Sequence, residues 1–181
     1  MKNHRLAFID LETTGLDVYT HEIIEIGCVL VETYTEGNDI KLSVIEEFEY
    51  KIAPQNISLA NPTALKVNGY KKEDWYDALL IKEVLNILAR KTQDAIMVGH
   101  NVTFDYMFLD RAFKSQKIQN TMHYHLLDTI SIAHAKLHTN EVQKYSLYAL
   151  CEQFGIKNEH QHTALADARA TYELYQKLME M

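Results

Sequence analysis

Three short segments carry the side chains best able to do chemistry. Asp10-Leu11-Glu12 follows an apolar run, Leu6 to Ile9, that reads as a buried strand. Side chains alternate across a strand, so carboxylates at i and i+2 project from one side and can share one cation or a close pair. Thr13-Thr14-Gly15 then turns the chain and offers hydroxyls and backbone N–H groups beside them. Asn101-Val102-Thr103-Phe104-Asp105 repeats the theme after a second apolar run, Ala95 to Val98. Thr103 can cap a helix there, which puts Asp105 in the first turn. His162-Thr163-Ala164-Leu165-Ala166-Asp167 opens the last amphipathic segment, with Asp167 expected more than one turn inside the helix and His162 just ahead of it. Clustered carboxylates are hard donors suited to Mg²⁺ or Mn²⁺, and an imidazole can act as a base near neutral pH.

Each segment alone has an ordinary explanation: a polar strand end, an acid at a positive helix end, a histidine cap. The repetition of one architecture, an apolar strand delivering an acid at its carboxyl end, weakens those explanations together. The elements that position these groups follow from patterning. Leu6 to Ile9, Glu22 to Val31 and Ser43 to Ile52 read as three strands joined by short polar connections, an antiparallel meander. Ala78, Ile81, Val84, Leu85 and Leu88 recur at helical spacing over 77–90, before the strand at Ala95 to Val98. Helices are expected around Phe108, Ala112 and Phe113, then over 129–138, 146–154 and 163–179. The order predicts an α/β fold, one mixed sheet with helices on both faces, and the acids should gather at strand ends near a topological switch.

Composition sets bounds. A chain of 181 residues that is 47% hydrophobic suits a single domain over 1–181, and no linker, repeat or low-complexity segment interrupts it. The amino-terminal apolar run is far too short to be a signal or membrane-spanning segment, so a soluble protein with no membrane contact is expected. Cys28 and Cys151 form no CxxC pair, which argues against structural zinc and disulfides and for a cytoplasmic location. The formal net charge of −7 disfavours a large basic surface for long duplex nucleic acid. It leaves room for a small footprint, because two divalent cations in an acidic site would cancel four of those negative charges.

Together, FIDLETTG, HNVTFD and HTALADA, in this order, resemble the three motifs of the DEDDh group of DnaQ-like 3′-to-5′ exonucleases. Leu127-Asp128-Thr129 resembles that family's LDT-type segment, and Ser146-Leu147 with Leu150 its SLxxL helix start. The resemblance implies an RNase H-like fold, a mixed five-stranded sheet with the first three strands antiparallel, flanked by helices. It implies two Mg²⁺ or Mn²⁺ ions held by Asp10, Glu12, Asp105 and Asp167, with His162 as general base. Thr13, Thr14, Leu16, Asn101 and Phe104 become candidate contacts to the terminal nucleotide of a single strand or 3′ end, DNA or RNA. Two features depart from the family. Val67-Asn68-Gly69 stands where many relatives carry Ile-His-Gly, so a shorter amide replaces a histidine contact. The C-terminal helix ends the chain, where proofreading subunits often carry a polymerase-binding tail, so a polymerase partner is not expected.

Other readings are weaker. His134 and His138, at i and i+4, could bind zinc, but no third ligand is evident and a surface helix face is expected. His160 competes with His162 for the role of base, yet only His162 has the family's spacing to Asp167. A catalytically silent binding module would require loss of a signature residue, and none is lost. An aspartyl phosphatase would want Asp where Glu12 stands.

Overall fold

The computed structural model describes residues 4–37, 39–137, 142–158 and 162–181; His138 and His160 lie outside the described residues. Strand β1, Leu6–Thr13, forms the centre of the sheet because both of its faces are apolar and both are covered. Ala7, Ile9 and Leu11 pack against helices α2, Ile81–Lys91, and α3, Val102–Gln116. Leu6 and Phe8 face the other way, toward Ala168, Tyr172 and Tyr175 of the last helix, α6, Ala164–Met179, with the Phe8 ring 5.2 Å from Tyr172 and 5.4 Å from Tyr175. Strand alternation therefore carries Asp10 and Glu12 onto the α6 side.

Strands β2, Ile23–Glu36, and β3, Asp39–Lys51, complete an antiparallel meander with β1, while β4, Ile96–Gly99, and β5, Leu126–Asp128, add parallel to its other edge. The order β3-β2-β1-β4-β5 puts the change from antiparallel to parallel at β1, the strand that carries the first two acids. Between β3 and α2 lie α1, Pro62–Val67, and two single 3-10 turns, Ile57–Leu59 and Lys72–Trp75. Helices α4, Thr129–Lys136, and α5, Leu147–Phe154, pack on the outer side of α6 through Ala133, Leu150, Leu174 and Leu178.

Three expectations need correction. The helix expected over 77–90 starts at Ile81, because Leu79 is drawn into a parallel bridge with Ile52: its N–H donates to Lys51 O at 3.0 Å and its carbonyl accepts from Ala53 at 2.9 Å. Thr103 lies inside α3 rather than capping it; Asn101 is the cap residue, in the left-handed conformation, and the Val102 N–H is taken by the Asp128 carboxylate at 2.9 Å. Asp167 lies in the first turn of α6, closer to the helix start than expected. Among the described residues no helix is long and apolar enough to cross a membrane.

The approach of α6 to the sheet depends on one residue. Gly27 is paired with Asp10 across β1 and β2, and a Cβ built there would lie 2.1 Å from the Ala164 carbonyl carbon and 2.2 Å from the Leu165 nitrogen. Backbone thus meets backbone where the first turn of α6 crosses β2, and no side chain fits between them. Gly27→Ala is expected to destabilise the protein by about 1–3 kcal/mol or more through overpacking. Denaturant unfolding checks this, and an unchanged midpoint would refute the contact.

Candidate active site

The acids arrive from three elements. Asp10 and Glu12 continue the α6-facing side of β1 past the point where that face is filled by Leu6 and Phe8. β4 pairs with β1 only as far as Phe8 and then turns into α3, so the Leu11 N–H lies beyond the parallel pairing. The Asp105 carboxylate takes that N–H at 3.1 Å. This bond locks the first turn of α3 to the end of β1 and leaves Asp105 only 4% exposed. From α6, Asp167 accepts from the His162 N–H at 3.1 Å and from the Asn158 side-chain amide. Ligating atoms of Glu12, His162 and Asp167 all lie within 4.8 Å of one another. The structure thus brings His162 to the acids, on an exposed residue held at φ +66°. Asn101 has the same φ of +66° ahead of α3, so both helices that deliver an acid are entered through a left-handed residue. For a residue with a side chain that geometry costs about 1–2 kcal/mol, and the chain turns sharply into each helix through it.

Electrostatics ties Asp10 to the rest. Burial, then the charges of Asp105, Asp167, Glu12 and Glu25, hold its carboxyl well above the usual carboxylate range. Burial and the neighbouring Asp167, Glu25 and Asp105 push Glu12 up to about 8, against a hydrogen bond from Asn68 that lowers it. Asp105 is raised to about 8, mainly by burial. Proximity that raises several carboxyls at once is what a multivalent cation would relieve, and oxygen donors with one imidazole fit a hard divalent ion. His134, by contrast, makes an edge contact with Tyr145, 5.5 Å between ring centres, and stands outside the grouped ligands.

The other predicted residues divide into two kinds. Thr13 and Thr14 are buried, and their hydroxyls shape the following loop: Thr13 donates to Gly15 O at 2.8 Å, and Thr14 accepts from the Glu22 N–H at 2.9 Å. Asp17 closes the loop by accepting from Tyr19 N at 2.9 Å and from the Thr20 hydroxyl at 2.6 Å. This hydrogen-bonded frame presents Leu16, 81% exposed, on the loop that follows the β1 acids, and Asn101 is exposed too. Phe104 is half-buried against Phe108, 4.9 Å between ring centres. Asn68 turns inward, donating to Thr13 O at 3.0 Å, so its amide braces the strand end as well as touching Glu12.

Sequence reasoning missed a second layer. Glu25 stands opposite Glu12 on β2, is 4% exposed, and accepts from the Ala164 N–H at 2.9 Å. Burial and a hydrogen bond shared with Glu49 push its carboxyl up to about 7, against the bond from Ala164. A charged residue inside the Ile/Val-rich run of β2 was the available signal. Asp128, noted only for its resemblance, joins two helix starts: one oxygen takes Val102 N, the other Ile130 N at 2.7 Å and Ser131 N at 3.1 Å.

The model of the family described as exonuclease matches residues 7–175. The chain belongs to this exonuclease family. Among its relatives, the DNA polymerase III epsilon subunit of Rickettsia prowazekii is 30% identical over 179 residues, covering 97% of this chain and 74% of that protein. The PolC-type DNA polymerase III of Caldanaerobacter subterraneus is 33% identical over 171 residues, covering 94% of this chain; the chain spans only 11% of that polymerase's length. Escherichia coli exonuclease I, solved in complex with a dT13 oligonucleotide, superposes with a TM-score of 0.77 at 17% identity, covering 97% of this chain and 40% of that one. The fold of this exonuclease domain is therefore RNase H-like, and the DnaQ-like resemblance of the motifs agrees with the family match.

The raised carboxyls fix the sign of a pH effect. Between the ordinary carboxylate range and about 8, folded Glu12 and Asp105 retain protons that the unfolded chain has released. Stability in chelator is therefore expected to fall as pH rises across that interval, and Mg²⁺ or Mn²⁺ to restore it by binding the folded state. Melting curves with and without metal check both parts; a midpoint that rises steadily through the interval would contradict the reading.

Proposed function

We propose that this exonuclease domain, spanning the whole chain, removes nucleotides one at a time from the 3′ end of a single nucleic-acid strand and releases nucleoside 5′-monophosphates. The observation that carries the reading is the grouping of Glu12 of β1, Asp167 of α6 and His162, whose ligating atoms lie within 4.8 Å of one another, next to a buried Asp10 that feels the charges of Glu12, Asp105 and Asp167. Asp10, Glu12, Asp105 and Asp167 would hold two Mg²⁺ or Mn²⁺ ions, which supply neutralisation of charge on the phosphate and on the departing 3′-oxygen. His162 takes the proton of the attacking water; its exposed position leaves it free to return that proton to solvent. Asp167 accepts from the main-chain N–H of His162 and so holds the backbone from which that side chain projects.

Leu16 and Phe104 offer apolar surface for the terminal base, and Asn101 a polar contact, in keeping with sequence-tolerant stacking on a single strand. Support for a DNA strand comes from exonuclease I, crystallised with dT13 and dA16 oligonucleotides, and from the polymerase III relatives. The chain's charge of −7 suits an end held through metal rather than a long basic track. The reading requires no polymerase partner. A cytoplasmic location belongs to the same proposal, in keeping with Cys28 and Cys151 as buried free thiols.

The test is product analysis on 5′-labelled single strands. Mononucleotide release is expected with Mg²⁺ or Mn²⁺, not in excess chelator, and a 3′-phosphate is expected to protect the strand more than a 5′ block. Asp10→Ala is expected to abolish turnover. His162→Ala is expected to lose at least about a hundredfold in kcat, the usual share of a general base. Release of inorganic phosphate would favour the phosphatase reading, no turnover would favour a binding module, and protection only by a 5′ block would reverse the direction.

A further inference from the structure

Glu25 is a buried carboxylate that the proposed reaction does not use, and it contacts the start of the helix that carries Asp167 and that His162 precedes. The first amides of a helix have no partner within the helix. In α6 two of them are taken by the sheet: Ala164 N–H donates to Glu25 of β2 at 2.9 Å, and Leu165 N–H donates to Glu49 of β3 at 3.1 Å. Glu49 is the residue paired with Gly27, so the two acids flank the point where helix backbone and strand backbone touch. One turn on, Arg169 donates through Nε and Nη2 to Glu47 at 2.9 and 2.6 Å, which fixes the rotation of the helix on the same strand pair. A side-chain oxygen placed at a helix N-terminus satisfies one of these free amides as an acceptor.

We propose that Glu25 and Glu49 are positioning residues, a two-carboxylate clamp that seats the first turn of α6 over Gly27 and thereby sets where His162 and Asp167 stand relative to Glu12. This inference rests on the nuclease reading for its kinetic arm only. Without the clamp, Gly27 still permits the approach but nothing draws the Ala164 amide onto the sheet. His162 precedes Ala164 by two residues and Asp167 follows it by three, so a shift of that amide moves both.

The test compares wild type, Glu25→Ala and Glu25→Gln on a 5′-labelled single strand, together with the amide proton shift of Ala164. Glutamine keeps an acceptor for Ala164 and adds a donor for Glu49, whereas alanine removes both. Glu25→Ala is expected to lose at least about tenfold in kcat with KM within about threefold, and to move the Ala164 amide upfield. Glu25→Gln is expected to stay within about threefold of wild type and to keep the amide shift. Full kcat in Glu25→Ala would overturn the proposal. So would a loss in Glu25→Gln as deep as in Glu25→Ala, which would mark the charge itself as the working feature. Should Glu25→Ala fail to fold, Glu25→Gln decides: activity and amide shift retained support the clamp, and either one lost overturns it. Should wild type cleave no nucleic acid, the nuclease reading fails, and the Ala164 shift alone still decides the clamp.

Discussion

Backbone-to-backbone contact at Gly27 sets the distance between α6 and the sheet, and with it the place of Asp167 and His162 against the β1 acids. A side chain at that position would hold the helix away by its own thickness, and the ligating atoms of Glu12, His162 and Asp167 could not then share a sphere of 4.8 Å. The contact exposes two helix amides to the sheet, and two glutamates of β2 and β3 answer them. Packing completes the placement, since Phe8 lies under Tyr172 and Tyr175 and Ala168 is fully buried against the same face. On the opposite side, Asp105 is held by the Leu11 amide that β4 leaves behind when it turns away.

These anchors work against electrostatic repulsion. Asp10, Glu12 and Asp105 are each pushed upward by burial, Asp10 also by the charges of Asp105, Asp167, Glu12 and Glu25, and Glu12 also by those of Asp167, Glu25 and Asp105. Apolar burial on both faces of β1 stabilises the fold enough to hold the acids together, and the unfavourable energy is what a bound cation can release. The same logic accounts for the orphaned geometry at Asn101 and His162, left-handed residues whose conformational cost is borne by the helices they start.

Much of this was legible in the sequence, for reasons that differ by residue. Asp10, Glu12, Asp105 and Asp167 each sit at a boundary between apolar periodicities, which local reading detects well. The mixed sheet followed from three strands preceding the first long helix, and the acids expected near a topological switch include Asp10 and Glu12 on β1, where the sheet changes from antiparallel to parallel. What escaped depends on contacts distant along the chain. Ala78 fitted the helical spacing, but its neighbour Leu79 joins Ile52 in a bridge, and the α3 cap was misread because Asp128, 26 residues on, takes the Val102 amide. Glu25 was read as part of an apolar strand because its partner, Ala164, lies 139 residues away. The bonds by which the Thr13 and Thr14 hydroxyls shape the loop that carries Leu16 were likewise not legible, since residues near in sequence do not show which backbone group a hydroxyl meets.

Packing holds the carboxylates of β1, α3 and α6 close enough to repel one another, and a bound cation would relieve that repulsion. Thermal melting of Asp10→Asn beside wild type, in chelator above about pH 8, where Glu12 and Asp105 lose their protons, tests this repulsion. The account predicts that the variant, with one charge removed from the centre of the cluster, melts above wild type in chelator and gains less from added Mn²⁺. A variant that melts below wild type in chelator and gains as much from Mn²⁺ would contradict it.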